Sequence, residues 1–192
     1  MGLFDKRRTP ATPVWMDPVE LSQVCAVFET RQPRRVLEWG AGGSTRAWLG
    51  RFPFITSLVS VEHHPRWYES VRAQITDPRL SLHHVPPDVP PFSYDAPMDR
   101  IADWIKRAEV DPTVMASYVA FPATLGQRFD FVLVDGRARN FCLRAGWQLL
   151  SDDGVMVLHD AQRPEYRATL ASFPRCALLE PFRQGQVAII RR

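Results

Sequence analysis

The stretch VLEWGAGGST, residues 36–45, decides how the rest of this chain is interpreted. Its first two residues are apolar and predict a buried strand, which ends at the acidic Glu38. Glycines at positions 40, 42 and 43 let the backbone turn closely around a ligand, because they carry no Cβ. Ser44 and Thr45 open a helix whose first amides favour negative and polar groups. The stretch therefore predicts a strand, a glycine turn and a helix that bind a small cofactor.

The spacing of this turn argues against two common cofactors. A dinucleotide fingerprint, G-x-G-x-x-G counted from Gly40, needs a glycine where this chain has Thr45. A phosphate-binding P-loop needs a Gly-Lys pair, and the chain contains none. What remains is the pattern Glu38-x-Gly40-x-Gly42-x-Ser44. A glycine turn that binds no ligand stays open as the structural alternative.

Composition indicates one globular domain. The chain has 192 residues, 45% of them hydrophobic, and a net charge of +3. Charges of both signs are scattered, without the dense basic stripe of nucleic-acid-binding proteins, so no nucleic-acid partner is indicated. Three widely spaced cysteines predict buried thiols in a reducing compartment, and no apolar run is long enough to span a membrane. We therefore expect a cytoplasmic protein.

Strands and helices alternate along the chain, which predicts a mostly parallel α/β sheet that closes with a hairpin. The predicted strands are 36–38, 55–61, 80–85, 129–134, 155–158, 176–179 and 186–190. An Asp-Pro-Val-Glu sequence starting at Asp17 is a helix start with an Asp cap and a glutamate three residues later. That helix is predicted to run to about residue 31, and further helices follow most strands.

Two segments fall outside the regular pattern. Residues 1–16 are polar and basic, and they predict a flexible N-terminal arm before a single domain at 17–192. Residues 86–128 contain seven prolines and one helical repeat of apolar residues between positions 98 and 108. We interpret this second segment as an insertion that forms a lid or a substrate wall, with a surface excursion or a dimer contact as the alternatives.

An acidic residue, Glu62, ends the second predicted strand about twenty residues after the glycine turn. A carboxylate there can accept hydrogen bonds from both ribose hydroxyls of an adenosine. The neighbouring His63 is expected near the adenine or ribose. Asp88, which follows the third strand, is expected near the adenine edge.

Several of these features occur together in an order that resembles the class I S-adenosylmethionine (SAM) methyltransferases. They are EWGAGGST, Glu62 after a second strand, FDFVLVDG, SDDGVMVLHD and a terminal hairpin. The resemblance covers roughly residues 33–192; Asp153-Gly154 stands where the family commonly has Gly-Gly. The sequences DGRAR and HD resemble those of bacterial methyltransferase-like proteins. The resemblance implies a Rossmann-like, doubly wound, seven-stranded sheet of order 3-2-1-4-5-7-6, whose last strand is antiparallel.

The resemblance also assigns roles to residues of this chain. Its first motif implies that the turn residues bind the amino-acid end of SAM; these residues are Glu38, Gly40, Ala41, Gly42, Ser44 and Thr45. Glu62 matches the ribose-binding acid, and Asp135 lies beside the methyl donor. Proton-accepting candidates are Asp135, His159 and Asp160, and His159 has the most suitable ordinary pKa. As strand neighbours, His159 and Asp160 are expected to point to opposite sides, so that one of them faces the site.

Some O-methyltransferases of this fold bind a divalent metal with acids after strands four and five. Asp135 and Asp160 match two such positions, but Ala161 stands where a ligating asparagine is common, so a metal is an alternative that we do not favour. Arg137 and Arg139 are candidates for holding an acidic acceptor, because guanidinium groups bind carboxylate and phosphate.

The sequence thus predicts a SAM-dependent methyltransferase that acts on a small-molecule acceptor, with a hydroxyl slightly preferred over an amine. No residue identifies the acceptor, and a homodimer stays open. Two alternatives remain. One is a non-catalytic module of the same fold that binds SAM or a nucleoside, and the other is an NAD-linked oxidoreductase, which Thr45 argues against.

Overall fold

A seven-stranded sheet of order β3-β2-β1-β4-β5-β7-β6 forms the centre of the computed structural model. The structure describes residues 12–91, 93–94 and 96–192. The strands are β1 (Arg35–Trp39), β2 (Ser57–Glu62), β3 (Leu80–His84), β4 (Phe129–Val134), β5 (Leu150–Leu158), β6 (Cys176–Leu178) and β7 (Ala188–Arg191). Strands β1 to β5 are parallel, and β7 runs antiparallel to both β5 and β6. This confirms the predicted fold, strand order and terminal antiparallel strand.

Helices cover both faces of the sheet. Within the described residues they are α1 (Pro18–Arg31), α2 (Gly43–Arg51), α3 (Pro65–Gln74), α4 (Met98–Val110), α5 (Ala116–Ala120), α6 (Arg139–Leu149) and α7 (Arg167–Ala171). Two 3-10 turns, Phe121–Leu125 and Pro164–Tyr166, precede β4 and α7. None of the described helices combines the length and the apolar character that a membrane span requires.

The central strands are buried on both faces, which explains their continuous apolar sequence. Leu37, Val132 and Val134 pack into the core on one face of the sheet. Val36 and Leu133 alternate with them and pack into a second core, under α1 and α2, on the other face. The carboxyl ends of β1, β2, β4 and β5 consequently lie side by side at one edge.

Helix α1 begins as its sequence predicts. The Asp17 carboxylate accepts a hydrogen bond from the Val19 amide at 2.9 Å, and Glu20 Oε2 accepts one from the Asp17 amide at 2.8 Å. These reciprocal bonds form a capping box, and they fix the side chain of Glu20 as well as the start of the helix.

Most predicted strands are shifted by one or two residues, and two predicted elements differ more from the observed ones. The strand expected from residue 155 begins at Leu150, but its pairing with β4 jumps from Leu150 to Val155, so residues 151–154 form an irregularity within the strand. The single helix expected around residues 163–173 is a 3-10 turn followed by the short α7. Pro164 has no amide hydrogen, and its place at the start of the 3-10 turn suits that loss.

The two irregular segments pack more firmly than their composition suggests. Residues 1–11 of the predicted arm lie outside the described part of the chain. The Thr12 amide donates to Gln74 Oε1 on α3 at 2.7 Å, so residues 12–16 of the predicted arm are anchored to the domain. Residues 86–128 contain α4, α5 and a 3-10 turn, and Ala108, Met115 and Tyr118 are buried in the core. This segment is the helical connection between the parallel strands β3 and β4.

Candidate functional site

A cavity of about 1120 Å³ opens at the carboxyl ends of the parallel strands. The residues that follow β1, β2, β4 and β5 line it, together with the N-terminal segment 13–18 and residues of α4. Open α/β sheets bind their ligands at this edge. Most sequence-predicted site residues therefore lie around one cavity; these are Gly40, Ala41, Gly42, Ser44, Glu62, His63, Asp135, Arg137, Arg139, His159 and Asp160.

The glycine turn lies against the end of β4. Gly40 has φ +99°, a conformation that L side chains rarely adopt. A Cβ at this position would lie 2.7 Å from the Gly136 amide nitrogen and 2.9 Å from the Asp135 carbonyl carbon. The glycine thus allows two loops to meet at the floor of the cavity.

Glu38 does not line the cavity but lies beneath the turn, with no exposed surface. Its carboxylate accepts hydrogen bonds of 2.5–2.8 Å from the hydroxyls of Ser44, Thr45 and Ser60. Thr45 is equally buried and also accepts from the Gly42 amide at 2.9 Å. The expectation that Glu38 and Thr45 contact the cofactor is therefore wrong. Because β1 ends inside the core, both residues lie under the glycine turn and stabilise it through these hydrogen bonds.

Burial raises the pKa of Glu38 from 4.5 to about 7, although the three hydroxyl hydrogen bonds partly offset it. At a pH below 4.5, the ordinary pKa of glutamate, this carboxyl is protonated in both the folded and the unfolded chain. Between 4.5 and about 7 only the folded chain keeps the proton, so the free energy of unfolding falls as the pH rises through this window.

The variant Glu38→Gln, which cannot titrate, should lack that fall. We expect its stability relative to the wild type to rise by on the order of 3 kcal/mol between about pH 4 and about pH 8. Urea unfolding of both proteins across this range measures the difference, and the exposed Glu29→Gln is the control. Parallel stability profiles for Glu38→Gln and wild type would contradict the assignment.

Glu62 is held in a tight turn at the end of β2. Its Oε1 accepts hydrogen bonds from the amides of His63 at 2.9 Å and His64 at 2.7 Å. Glu62 is 3% exposed and lines the cavity. Both amides use the same oxygen, so this turn leaves the other oxygen for a ligand.

Aromatic residues surround Glu62. The His63 ring stacks on Trp104 of α4 with centroids 6.2 Å apart and meets Tyr118 edge-on. The Trp67 indole of α3 donates to the Ala41 carbonyl. Sequence reasoning missed Trp67 as a cavity-lining residue. Tyr94 and Trp104, which also line the cavity, belong to the segment 86–128 that was expected to form a lid or a substrate wall.

Asp88 does not lie on the cavity wall. Its carboxylate accepts hydrogen bonds from the amide and the hydroxyl of Ser117, near the start of α5. Asp88 thus anchors α5 to the loop after β3. The expectation that it lies at the adenine edge is wrong. A carboxylate is favourable beside such a helix start because the first amides have no partner within the helix.

Arg139 occupies the gap between the ends of β4 and β5, and it is 5% exposed. Its Nε donates to the Gly136 carbonyl at 2.9 Å. Its Nη1 donates to the His159 carbonyl at 2.7 Å and to Asp160 Oδ2 at 3.2 Å. Its Nη2 donates to the Asp135 carbonyl at 3.0 Å and to Asp135 Oδ1 at 3.1 Å. Five contacts match the five N–H groups of a guanidinium, so Arg139 braces the site and is not free for a substrate, contrary to expectation.

This position of Arg139 also bears on a metal between the two aspartates. A divalent ion bound there would lie beside a fixed positive charge that already uses both carboxylates, and Ala161 offers no side-chain ligand. Asp135 and Asp160 therefore do not fit a shared metal site.

Both His159 and Asp160 line the cavity, so the expectation that only one of them faces it is wrong. Strand β5 ends at Leu158, and Asp160 has φ +60°, which breaks the alternation of side chains. His159 Nδ1 lies 2.7 Å from Asp135 Oδ1. Burial lowers the pKa of His159, but the hydrogen bond and charge of Asp135 and the charge of Asp160 outweigh it and raise the pKa to about 9. This imidazole is therefore protonated at neutral pH.

Glu20 is a further residue of this site that sequence reasoning missed. It belongs to α1, is 2% exposed, and its Oε1 lies 3.0 Å from His159 Nε2. A glutamate in a capping box is normally a helix-start signal, and only a buried partner distinguishes this one. Arg137, in contrast, lies at the cavity wall half-buried, with no guanidinium hydrogen bond or ion pair to the described residues.

Neither a protein-family model nor a curated protein matches this chain. Many solved structures do match it. A methyltransferase-like protein from Silicibacter pomeroyi superposes with a TM-score of 0.62 at 22% identity, over 95% of this chain and 90% of that chain. An O-methyltransferase from Bacillus cereus, solved with S-adenosylhomocysteine (SAH), gives 0.61 at 15% identity, over 95% and 84%. The O-methyltransferase TomG from Streptomyces achromogenes, solved with SAM, gives 0.57 at 16% identity, over 92% and 81%.

These structures and the observed strand order define the fold. The chain has the fold of the class I SAM-dependent methyltransferases. The resemblance found in the sequence is thus confirmed at the level of the fold.

Proposed function

We propose that this protein is a SAM-dependent methyltransferase that transfers a methyl group to a hydroxyl group of a small molecule. The observation that carries the proposal is Glu62: its carboxylate is fixed by two amides at the end of β2, inside the same cavity as the glycine turn and Asp135. This arrangement suits the ribose, the amino-acid end and the sulfonium of one SAM molecule. The SAH and SAM complexes of structurally similar O-methyltransferases support it.

In the proposed site, each wall of the cavity has one task. The turn at Gly40–Ser44 binds the amino-acid end of the cofactor, and Glu62 and His63 bind its ribose and adenine. Asp135 faces the methyl group and accepts the hydroxyl proton through Oδ2. Its other oxygen, Oδ1, already bonds His159 and Arg139. His159 orients Asp135, and Arg139 holds the two strand ends in register. Methyl transfer then depends mainly on alignment, because the sulfonium is already activated.

The test combines cofactor binding with turnover. Calorimetric titration with SAH should show saturable binding, and incubation with SAM and a panel of phenols should release SAH. Asp135→Asn should bind SAH normally and lose most of the turnover. Binding of SAH without transfer to any acceptor would favour a non-catalytic module. Binding of NADH in place of SAH, measured by fluorescence, would favour the oxidoreductase alternative.

We further propose that the acceptor is acidic and that Arg137 binds its anionic group. Burial and the positive charge of Arg139 lower the pKa of Arg137, so the residue gains from an anionic partner. Arg163 also lines the cavity and adds a positive charge near Arg137.

The substitution Arg137→Ala should raise KM for an acidic acceptor by about 10- to 100-fold, the value of one hydrogen bond between charged groups. The probes are 3,4-dihydroxybenzoate and catechol, which differ by one carboxylate. KM for catechol and the affinity for SAH should change little. Arg144→Ala, an exposed change on the helix α6 that follows Arg137, is the control. An equal change in KM for both acceptors would contradict a carboxylate contact.

A further inference from the structure

We infer that Glu20, His159 and Asp160 form a binding site for one divalent transition-metal ion. One oxygen or nitrogen atom of each residue lies within 4.8 Å of the others. The three residues come from two distant parts of the chain, the start of α1 and the end of β5, and all three line the cavity. The site differs from the Asp135–Asp160 pair, because its other two ligands are Glu20 and His159. It also uses the Asp160 oxygen that does not accept a hydrogen bond from Arg139.

Two of the three ligand atoms are buried and have no hydrogen bond. Glu20 is 2% exposed and His159 is 6% exposed, and neither Glu20 Oε1 nor His159 Nε2 has a hydrogen-bond partner in the described chain. The two atoms lie 3.0 Å apart, but they are not aligned for a hydrogen bond to each other. Buried polar atoms without partners are rare and call for a missing ligand.

Their separation suits two neighbouring ligands of one ion. Metal–nitrogen and metal–oxygen bonds to imidazole and carboxylate are about 2.1 Å long. At right angles around one ion, two such atoms lie about 3.0 Å apart, and the second atom is well off the direction of the imidazole lone pair. This geometry explains why the atoms are close without a hydrogen bond.

Each proposed ligand is held through its other polar atom. Glu20 Oε2 accepts from the Asp17 amide at 2.8 Å. His159 Nδ1 bonds Asp135 Oδ1 at 2.7 Å, and Asp160 Oδ2 accepts from Arg139 at 3.2 Å. A carboxylate on the far nitrogen of a histidine is the usual support of a metal-ligating imidazole, because it fixes the tautomer and the ring orientation. The three atoms that remain, Glu20 Oε1, His159 Nε2 and Asp160 Oδ1, are thereby directed toward one another.

The loop before β7 covers this cluster with a glycine. A Cβ on Gly185 would lie 2.3 Å from Glu20 Oε1 and 2.8 Å from Asp160 Oδ1. A side chain at position 185 would therefore fill the space beside both oxygens. A metal-ligating imidazole is neutral, so binding of an ion releases the His159 proton. The three carboxylates of Glu20, Asp135 and Asp160 then outnumber the guanidiniums of Arg139 and Arg163 by one negative charge, which favours a cation.

One imidazole nitrogen and two carboxylate oxygens suit Mn²⁺, Fe²⁺, Co²⁺ or Zn²⁺ better than Mg²⁺, which prefers oxygen ligands. An ion at this site borders the space that the acceptor enters. If the proposed function holds, the ion would lower the pKa of an acceptor hydroxyl. The site itself does not depend on that function, and its test needs neither SAM nor turnover.

The test is titration of the purified, chelator-treated protein with Co²⁺ and Mn²⁺, followed by calorimetry and, for Co²⁺, by visible absorption. Wild type should bind one ion per chain, with the absorption of a coordinated Co²⁺. Glu20→Gln preserves the capping geometry and should weaken binding by about 100-fold, because mutation of an outer-shell partner alone already costs about 10- to 100-fold. Glu29→Gln, an exposed change on the same helix, should bind like wild type.

Gly185→Ala supplies a second variant that removes no ligand. Its methyl group should displace the Glu20 or Asp160 oxygen and weaken binding by about 10-fold or more. Thermal unfolding of each variant establishes that it is folded. Absence of saturable Co²⁺ and Mn²⁺ binding in wild type overturns the inference, as does binding that survives in folded Glu20→Gln. Either failure leaves SAH binding unaffected and so is distinguishable from failure of the proposed methyltransferase function.

Discussion

Replacing Glu62 by alanine is expected to weaken the binding of SAH by about 100-fold. A carboxylate that accepts hydrogen bonds from two ribose hydroxyls contributes about 3 kcal/mol, which corresponds to that change in affinity. The buried position at the end of β2 makes the loss larger than at the surface, because the hydroxyls would then face a cavity wall without an acceptor. Calorimetric titration of the wild type and the variant measures the difference.

Two further variants define the origin of that effect. Glu62→Gln keeps an acceptor for the amides of His63 and His64 but removes the charge, and we expect an affinity between those of wild type and Glu62→Ala. Glu69→Ala removes an exposed acid from α3 and should leave the affinity unchanged. Equal SAH affinities for wild type and Glu62→Ala would mean that this carboxylate does not contact the cofactor.

Replacing Gly40 by alanine is expected to lower the free energy of unfolding by about 3 kcal/mol or more. The alanine would have to adopt φ +99°, and its Cβ would lie 2.7 Å from a backbone nitrogen of the neighbouring loop, which cannot move without shifting the end of β4. SAH binding should be lost as well, because the turn would be displaced into the cavity. Urea unfolding and calorimetry measure the two effects.

Gly50→Ala is the matched control. This glycine lies in α2, and a Cβ there meets nothing within 4 Å. Alanine favours a helix by about 1 kcal/mol over glycine, so this variant should be as stable as wild type or more stable. If both substitutions had the same small effect, the close approach of the turn and the end of β4 would not constrain Gly40.

Much of the fold follows from local patterns that the sequence shows directly. The run FDFVLV is β4 from Phe129 to Val134, with the predicted boundaries. The strand order was implied by the resemblance to the class I methyltransferases, which rests on the acidic residue, the spaced glycines and the terminal hairpin, and the structure confirms it. Helix α1 also begins at Pro18 as its capping residues predict, since the cap depends only on near neighbours.

The roles of individual site residues depended on contacts between distant parts of the chain. Arg139 resembles a free cation in the sequence, but its five N–H groups bridge β4 and β5. Asp160 takes a left-handed conformation that no strand pattern predicts. Glu20 is a helix cap by sequence and a neighbour of His159 only by packing.

The sequence by itself therefore determined the alternation of strands and helices and the edge at which the cavity forms, because hydrophobic periodicity and turn chemistry are local properties. The strand order was implied only by the resemblance to a known family. The sequence also determined which loop residues reach that edge, among them Gly40, Glu62 and Asp135. Only the tertiary structure decided which of their neighbours support the cavity from below, as Glu38 does, and which face it, as Glu20 does. The physical reason is that burial and pairing of a charged side chain depend on the elements packed against it, and the chain brings these together from far apart in sequence.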